Sequence, residues 1–142
     1  MRDYDALILD LDGTLLKDDG TIPPATRIAL QRISAEDIHV MIATGRSEQS
    51  AEPVIQDLGI LNPSVIYNGA AIWCPREKRL IEERHLADDH LECLLSFAEV
   101  EGLLPVVMCA GSKRALSPSS EIFNYALHDM KDIEIVSEAE MR

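Results

Sequence analysis

The chain has 142 residues, with 25 acidic against 13 basic side chains and a formal charge of −12. That length holds one compact domain, or a small domain with part of a second, and is long enough to bury a core. So acidic a surface repels phosphate backbones and anionic lipid, which excludes general nucleic-acid or membrane-surface binding and requires any phosphate chemistry to be local.

In chain order, Ala6 to Leu11 is a short apolar run that closes on Asp12-Gly13. A helix is expected next, because Pro23 and Pro24 suit a helix start and Ile28, Ala29 and Ile33 recur at helical spacing. Ile38 to Ala43 is a second run, closed by Thr44-Gly45, and Val54, Ile55 and Leu58 mark a second helix with Gly59 as its stop. Pro53 fits that helix only in its first turn or at a kink. A third run, Val65 to Tyr67, ends at Asn68-Gly69. Strands are therefore expected near residues 5–10, 38–43 and 64–67. Strand, helix, strand, helix, strand is the pattern of right-handed βαβ units in a parallel sheet. In such sheets ligands bind beyond the carboxyl ends of the strands, so the three polar clusters should converge on one site.

After Ala70 the pattern changes. Ala71 to Cys74, a turn at Pro75-Arg76-Glu77-Lys78, and Arg79 to His85 read as a β-hairpin. Asp88 to Glu101 reads as a helix with Leu91, Leu94, Leu95 and Ala98 on one face, and its acidic start suits the helix dipole. Leu104 to Cys109 is a further strand with Met108 and Cys109 expected in the core. Gly111 to Ser120 is polar and turn-rich, Glu121 to Met130 a helix, and Ile133 to Val136 a short strand. A separate α/β lobe is expected from about residue 72.

Three cysteines, odd in number and set in apolar stretches, suggest neither a disulfide framework nor a zinc site. The four histidines are scattered without metal-ligand spacing. The N-terminus meets Asp3 and Asp5 at once, unlike a secretory signal, and no apolar stretch approaches the ~18 residues of a membrane span. A reducing, cytoplasmic setting is expected.

Asp10-Leu11-Asp12-Gly13-Thr14 is the sharpest chemical signal. Asp-Gly at a strand's end is ordinary turn chemistry, but two carboxylates two residues apart also face one cavity if the chain turns beneath them. A carboxylate attacking a phosphate dianion meets charge repulsion, so it needs a divalent cation and hydrogen-bond donors. Asp10 is the natural nucleophile and a hard oxygen ligand for Mg²⁺, and Asp12 the acid and base that serves the leaving oxygen and the water. Thr44-Gly45-Arg46 offers a hydroxyl and backbone N–H groups for an anion, or alternatively a helix cap with a solvated arginine. Asn68-Gly69 is by itself an ordinary turn pair. Third at the same sheet edge, it becomes a candidate for touching substrate.

Asp10-Leu11-Asp12-Gly13-Thr14-Leu15-Leu16, Ala43-Thr44-Gly45-Arg46 and Tyr67-Asn68-Gly69-Ala70, in this order and spacing, resemble the haloacid dehalogenase superfamily of phosphatases. More narrowly they resemble its Cof-type branch, in which a large α/β cap is inserted after the third strand. The resemblance implies an α/β fold in which residues 1–72 are part of a Rossmann-like parallel-sheet core and 73–142 the beginning of the cap. It also implies a Mg²⁺-dependent phosphomonoesterase working through an aspartyl-phosphate. Asp10 and Asp12 would be catalytic and metal-binding, Asp12 through its main-chain carbonyl, and Thr44, Gly45, Arg46, Asn68 and Gly69 would bind phosphate or substrate. The substrate class is a small phosphorylated metabolite such as a sugar phosphate. The family's lysine and acidic Gly-Asp motifs lie after the cap returns to the core. Lys113, Lys131, Asp129 and Asp132 lack those contexts and are not assigned to them. The chain is thus expected to be an N-terminal half, which either self-associates through its unpaired strand edge or meets a chain that supplies the missing core. The alternative is a non-catalytic binding or scaffold module built on the same phosphate-site fold.

Overall fold

In the computed structural model, residues 4–109, 112–116 and 133–141 are described. They form two compact units, Met1–Arg84 and His85–Arg142. The expected helix over Glu121 to Met130, and Lys131, Asp129, Asp132 and His128, lie outside the described residues.

The first unit opens with β1 (Ala6–Leu9), α1 (Pro24–Ala35), β2 (His39–Ile42), α2 (Glu48–Asp57) and β3 (Ser64–Ile66). The 3₁₀ turn Tyr67–Gly69 then leads into β4 (Ala71–Cys74) and β5 (Arg79–Glu83). β1 and β2 pair in parallel from Ala6↔His39 to Leu9↔Ile42. The chain thus runs β-α-β as the alternating runs predict, with proline at the start of α1 where a missing N–H is harmless.

The third strand differs from expectation in how it is held. Only one parallel bridge, Ala43↔Val65, joins it to β2, while its ladder is antiparallel, with β4. Side chains replace part of the missing parallel ladder. The Ser64 hydroxyl accepts the Ile42 N–H at 3.3 Å, and the Asn62 amide donates to the Val40 carbonyl at 3.0 Å. Ser64 is fully buried, so its hydroxyl must be paired, and this bond satisfies it. The pairing therefore divides into a two-stranded parallel sheet of β1 and β2 and a three-stranded antiparallel sheet of β3, β4 and β5, linked by the Ala43↔Val65 bridge.

The core of this unit collects Leu11, Leu15, Leu16, Leu30, Val40, Ile42, Ala51, Ile55, Ile66 and Trp73. Pro53 lies inside α2, so one intrahelical hydrogen bond is missing there, yet Ala51 and Ile55 on either side of it are fully buried. Packing of that face outweighs the local penalty. Arg27 of α1 forms a bidentate pair with Asp57, the last residue of α2, and tethers the two helices. The hairpin β4–β5 follows expectation, with Lys78 at φ 51° closing its turn.

The second unit contains α3 (Asp88–Val100), β6 (Val106–Cys109), β7 (Ser112–Leu116), β8 (Ile133–Val136) and a helical turn at Glu138–Met141. β6 and β7 are antiparallel and β7 and β8 parallel. Three expectations fail here. Ser112 to Leu116 is a strand rather than a turn, because its polar side chains lie on a ladder whose bonds are made by the backbone. Met108 is 39% exposed and Cys109 only half-buried, so neither lies in the core. Leu94 lies at the exposed edge of the α3 stripe, where only Leu95 and Ala98 are buried.

Ile55 is the most direct probe of this packing. Replacing it with alanine should lower the unfolding free energy by about 2–5 kcal/mol, read from a urea melt. A loss below about 1 kcal/mol would mean that α2 does not seal the core.

Candidate active site

Leu11 builds the first part of the site. Its side chain is wholly buried, and its carbonyl accepts the N–H groups of Thr14, Leu15 and Leu16 at 3.3, 3.0 and 2.9 Å. One residue to either side, Asp10 and Asp12 are exposed, as alternation along an extended chain requires. Gly13, at φ +73°, permits the turn that follows. The Thr14 hydroxyl faces the Asp10 carboxylate at 3.5 Å.

The second part follows β2. Thr44 is nearly buried and its N–H reaches the Val65 carbonyl at 2.9 Å, so the loop leaves β2 against β3. The Arg46 N–H donates to the Thr44 hydroxyl at 3.2 Å. α2 begins only at Glu48, with Ser47 as its N-cap, so Thr44-Gly45-Arg46 is a turn ahead of the helix rather than its first residues. The Arg46 side chain is not solvated freely. It donates to both oxygens of Asp12, Nε to Oδ2 at 2.8 Å and Nη2 to Oδ1 at 2.6 Å, and also to the Ser50 carbonyl at 3.1 Å.

The third part follows β3. Tyr67, Asn68 and Gly69 have φ values of 52°, 53° and 96°. For tyrosine and asparagine this left-handed backbone costs about 1–2 kcal/mol each, so it persists only where surroundings enforce it. They do: the Tyr67 N–H donates to the Arg46 carbonyl at 2.9 Å and the Asn68 N–H to the Thr44 carbonyl at 3.3 Å. The Asn68 carboxamide lies over Gly45, with Oδ1 only 2.5 Å from where a Cβ would stand.

The three loops that follow β1, β2 and β3 therefore meet at one edge. Asp12 touches Arg46, and Asn68 touches Gly45. Asp10 stands beside Thr14 at the start of the first loop, and Gly69 completes the third. Neither the pairing of Arg46 with Asp12 nor the contact of Asn68 with Gly45 is legible in the sequence. The fitting signals were an arginine after Thr-Gly and a glycine where close backbone approach is needed.

A family model for haloacid dehalogenase-like hydrolases matches residues 7–140. This chain belongs to that family. It is 33% identical over 108 residues to the putative phosphatase YkrA of Bacillus subtilis, an alignment covering 76% of this chain and 40% of that protein. It is 41% identical over 71 residues to the 5-amino-6-(5-phospho-D-ribitylamino)uracil phosphatase YitU of the same organism, covering 50% of this chain and 26% of that one. Among solved structures, the subclass IIB sugar phosphatase BT4131 superposes with a TM-score of 0.80 at 24% identity, covering 97% of this chain and 54% of that one. The likeness to BT4131 establishes a shared α/β fold. The chain spans well under half the length of these two curated relatives and about half that of this solved one.

The Arg46 hydrogen bonds hold the Asp12 carboxyl below its ordinary range, partly opposed by desolvation. Stability from this pair is present above the ordinary carboxylate range and fades as pH falls through the lowered value of the folded state. Because the Asp12 side chain is 58% exposed, solvent screening keeps that contribution small. Arg46→Gln should raise the Asp12 pKa towards the ordinary value, measured by carboxyl NMR titration. An unmoved titration would show that the pair does not persist in solution.

Proposed function

We propose that this chain carries the nucleophile and acid/base half of a phosphomonoesterase site acting on a small phosphorylated metabolite. The observation that supports it most is the meeting of the Asp10–Asp12 loop with the Thr44–Arg46 loop through the Arg46 pair to Asp12. In this reading an Asp10 oxygen bonds to phosphorus as the ester P–O bond breaks, and the leaving oxygen takes a proton from Asp12. A water then attacks the aspartyl-phosphate while Asp12 takes its proton, releasing phosphate and restoring Asp10. Thr44 and the backbone of Gly45 hold the phosphoryl oxygens. Asn68 and Gly69 border the same edge.

The proton economy of Asp12 gives Arg46 a place in this cycle. Paired with Arg46, Asp12 is held as carboxylate, which suits it as base. Serving as acid requires protonation, so it must loosen from Arg46 before leaving-group departure.

Mg²⁺ is the proposed cofactor. The Asp10 carboxylate and the Asp12 main-chain carbonyl are hard oxygen donors of the kind the ion takes. Among the described residues no group of three or more His, Cys, Asp or Glu side chains is arranged to hold a metal. These two donors fit Mg²⁺ as a partial set, with water and phosphate oxygens completing it. When bound, the ion would neutralise charge between Asp10 and the phosphate.

The names of YitU, a 5-amino-6-(5-phospho-D-ribitylamino)uracil phosphatase, and of BT4131, a sugar phosphatase, support a phosphorylated sugar or sugar-like substrate. Residues 1–72 are proposed as part of the catalytic core and 73–142 as the start of the cap. A further segment or chain would supply the neutralising lysine and the acidic Gly-Asp cluster. Cys74 and Cys93 are free thiols, which suits a reducing cytoplasm, and no helix among the described residues is long and apolar enough to cross a membrane.

Without that lysine and acidic cluster, turnover of an aryl phosphate by this chain with Mg²⁺ should be slow compared with full-length YkrA. It should disappear in Asp10→Asn. Titration calorimetry should record weak Mg²⁺ binding that the same substitution diminishes. Turnover that survives Asp10→Asn, or Mg²⁺ binding indifferent to it, would overturn the assignment of Asp10. Absence of turnover in a chain extended through those motifs would favour the binding-module alternative.

A further inference from the structure

The contact between Asn68 and Gly45 gives Asn68 a different task from touching substrate. We propose that Asn68 is a positioning residue, whose carboxamide locks the Thr44-Gly45-Arg46 turn so that the Arg46 guanidinium is delivered to Asp12.

The turn is gripped on both sides of Gly45. The Thr44 carbonyl accepts the Asn68 N–H at 3.3 Å and the Arg46 carbonyl accepts the Tyr67 N–H at 2.9 Å. Between those two bonds the Asn68 side chain sits on the Gly45 backbone. A Cβ built on Gly45 would meet Oδ1 at 2.5 Å, Cγ at 3.2 Å and Nδ2 at 3.4 Å. The fit therefore exists only because residue 45 is glycine. It also requires the left-handed backbone at Tyr67 and Asn68, which swings the asparagine back over the second loop. Asparagine tolerates that conformation better than most residues because its short side chain bonds locally.

Two backbone bonds and one side-chain contact thus fix where the Arg46 side chain departs. From that point its fork spans both Asp12 oxygens, at 2.6 and 2.8 Å, while its third nitrogen holds the Ser50 carbonyl. A bidentate pair of this kind is sensitive to placement, because both N–H···O bonds must be aligned at once. Without the carboxamide only the two backbone bonds hold the turn, the Gly45 backbone between them gains room to shift, and the fork loses one or both partners. A substrate-contact role for Asn68 makes the opposite statement: in the ligand-free protein its removal would leave Arg46 where it is.

The catalytic consequence rests on the phosphatase reading, but the geometric claim can be tested without metal, substrate or turnover. The probe is water exchange of the Arg46 Nε–H, followed by ¹⁵N NMR on the 142-residue protein. Asn68→Gly removes the carboxamide while keeping a residue at ease with positive φ, and Gly45→Ala obstructs the same contact from the other side. Both should accelerate Arg46 Nε–H exchange about fivefold, the scale of one lost ordinary hydrogen bond, while the β1–β2 backbone amides stay protected. Asn68→Asp, nearly identical in shape, should keep Arg46 exchange slow. Parent-like exchange in Asn68→Gly, with the β1–β2 amides protected, would overturn the proposal whatever the phosphatase assay returns. Should Gly45→Ala unfold the chain, Asn68→Gly with its protected amides decides alone.

Discussion

Parallel pairing of β1 with β2 is the constraint on which the site depends. Its register ends at Leu9↔Ile42, so Asp10 and Ala43 emerge from the sheet at the same end. The Ala43↔Val65 bridge then brings the third loop alongside. A strand that ran the other way would send its loop to the opposite edge, and the three loops could not meet. The pairing is stabilised from below by the wholly buried Leu11, Ile42, Ile55 and Ile66, which leave the polar residues at the rim.

With the loops gathered, electrostatics divides the two aspartates. Asp12 is engaged by a cation that favours its charged form, while Asp10 has only the Thr14 hydroxyl at 3.5 Å among its side-chain contacts described here. The two carboxylates, separated by one residue in the chain, therefore stand in different surroundings. Such inequality is what acid/base and nucleophilic roles require, since one group must exchange protons while the other attacks phosphorus. Arg46, read as a phosphate ligand or as a solvated side chain, is in the folded protein the group that creates this inequality.

The third loop shows how backbone strain is used. Successive left-handed residues at Tyr67 and Asn68 are unfavourable in isolation, and they exist because two carbonyls of the second loop accept their N–H groups. The penalty falls at the edge where the loops meet rather than in the core. Ser64 and Asn62 have a related role one step earlier. They bond to β2 where a regular parallel ladder would have done so, while β3 pairs with β4 in an antiparallel ladder.

The local elements were largely legible in the sequence because they follow from period and punctuation. Apolar runs closed by Asp-Gly, Thr-Gly and Asn-Gly marked β1, β2 and β3, the paired prolines marked the start of α1, and the Pro75–Lys78 turn marked the hairpin. The motif order also pointed to the family that the comparisons establish. What it left undecided were relations between residues distant in the chain. The antiparallel partner of β3 could not be read, because a buried strand shows the same apolar run in either direction. Ser112 to Leu116 reads as turn because Ser112, Lys113 and Arg114 show no apolar period, and only the ladder with β6 and β8 makes them a strand. Arg46 met Asp12, and Asn68 met Gly45, only when the sheet brought three loops to one edge. Sequence by itself determined which residues could carry charge, turn the chain or allow close approach; tertiary structure decided which of them touch, because contact depends on strand direction and register rather than on spacing along the chain.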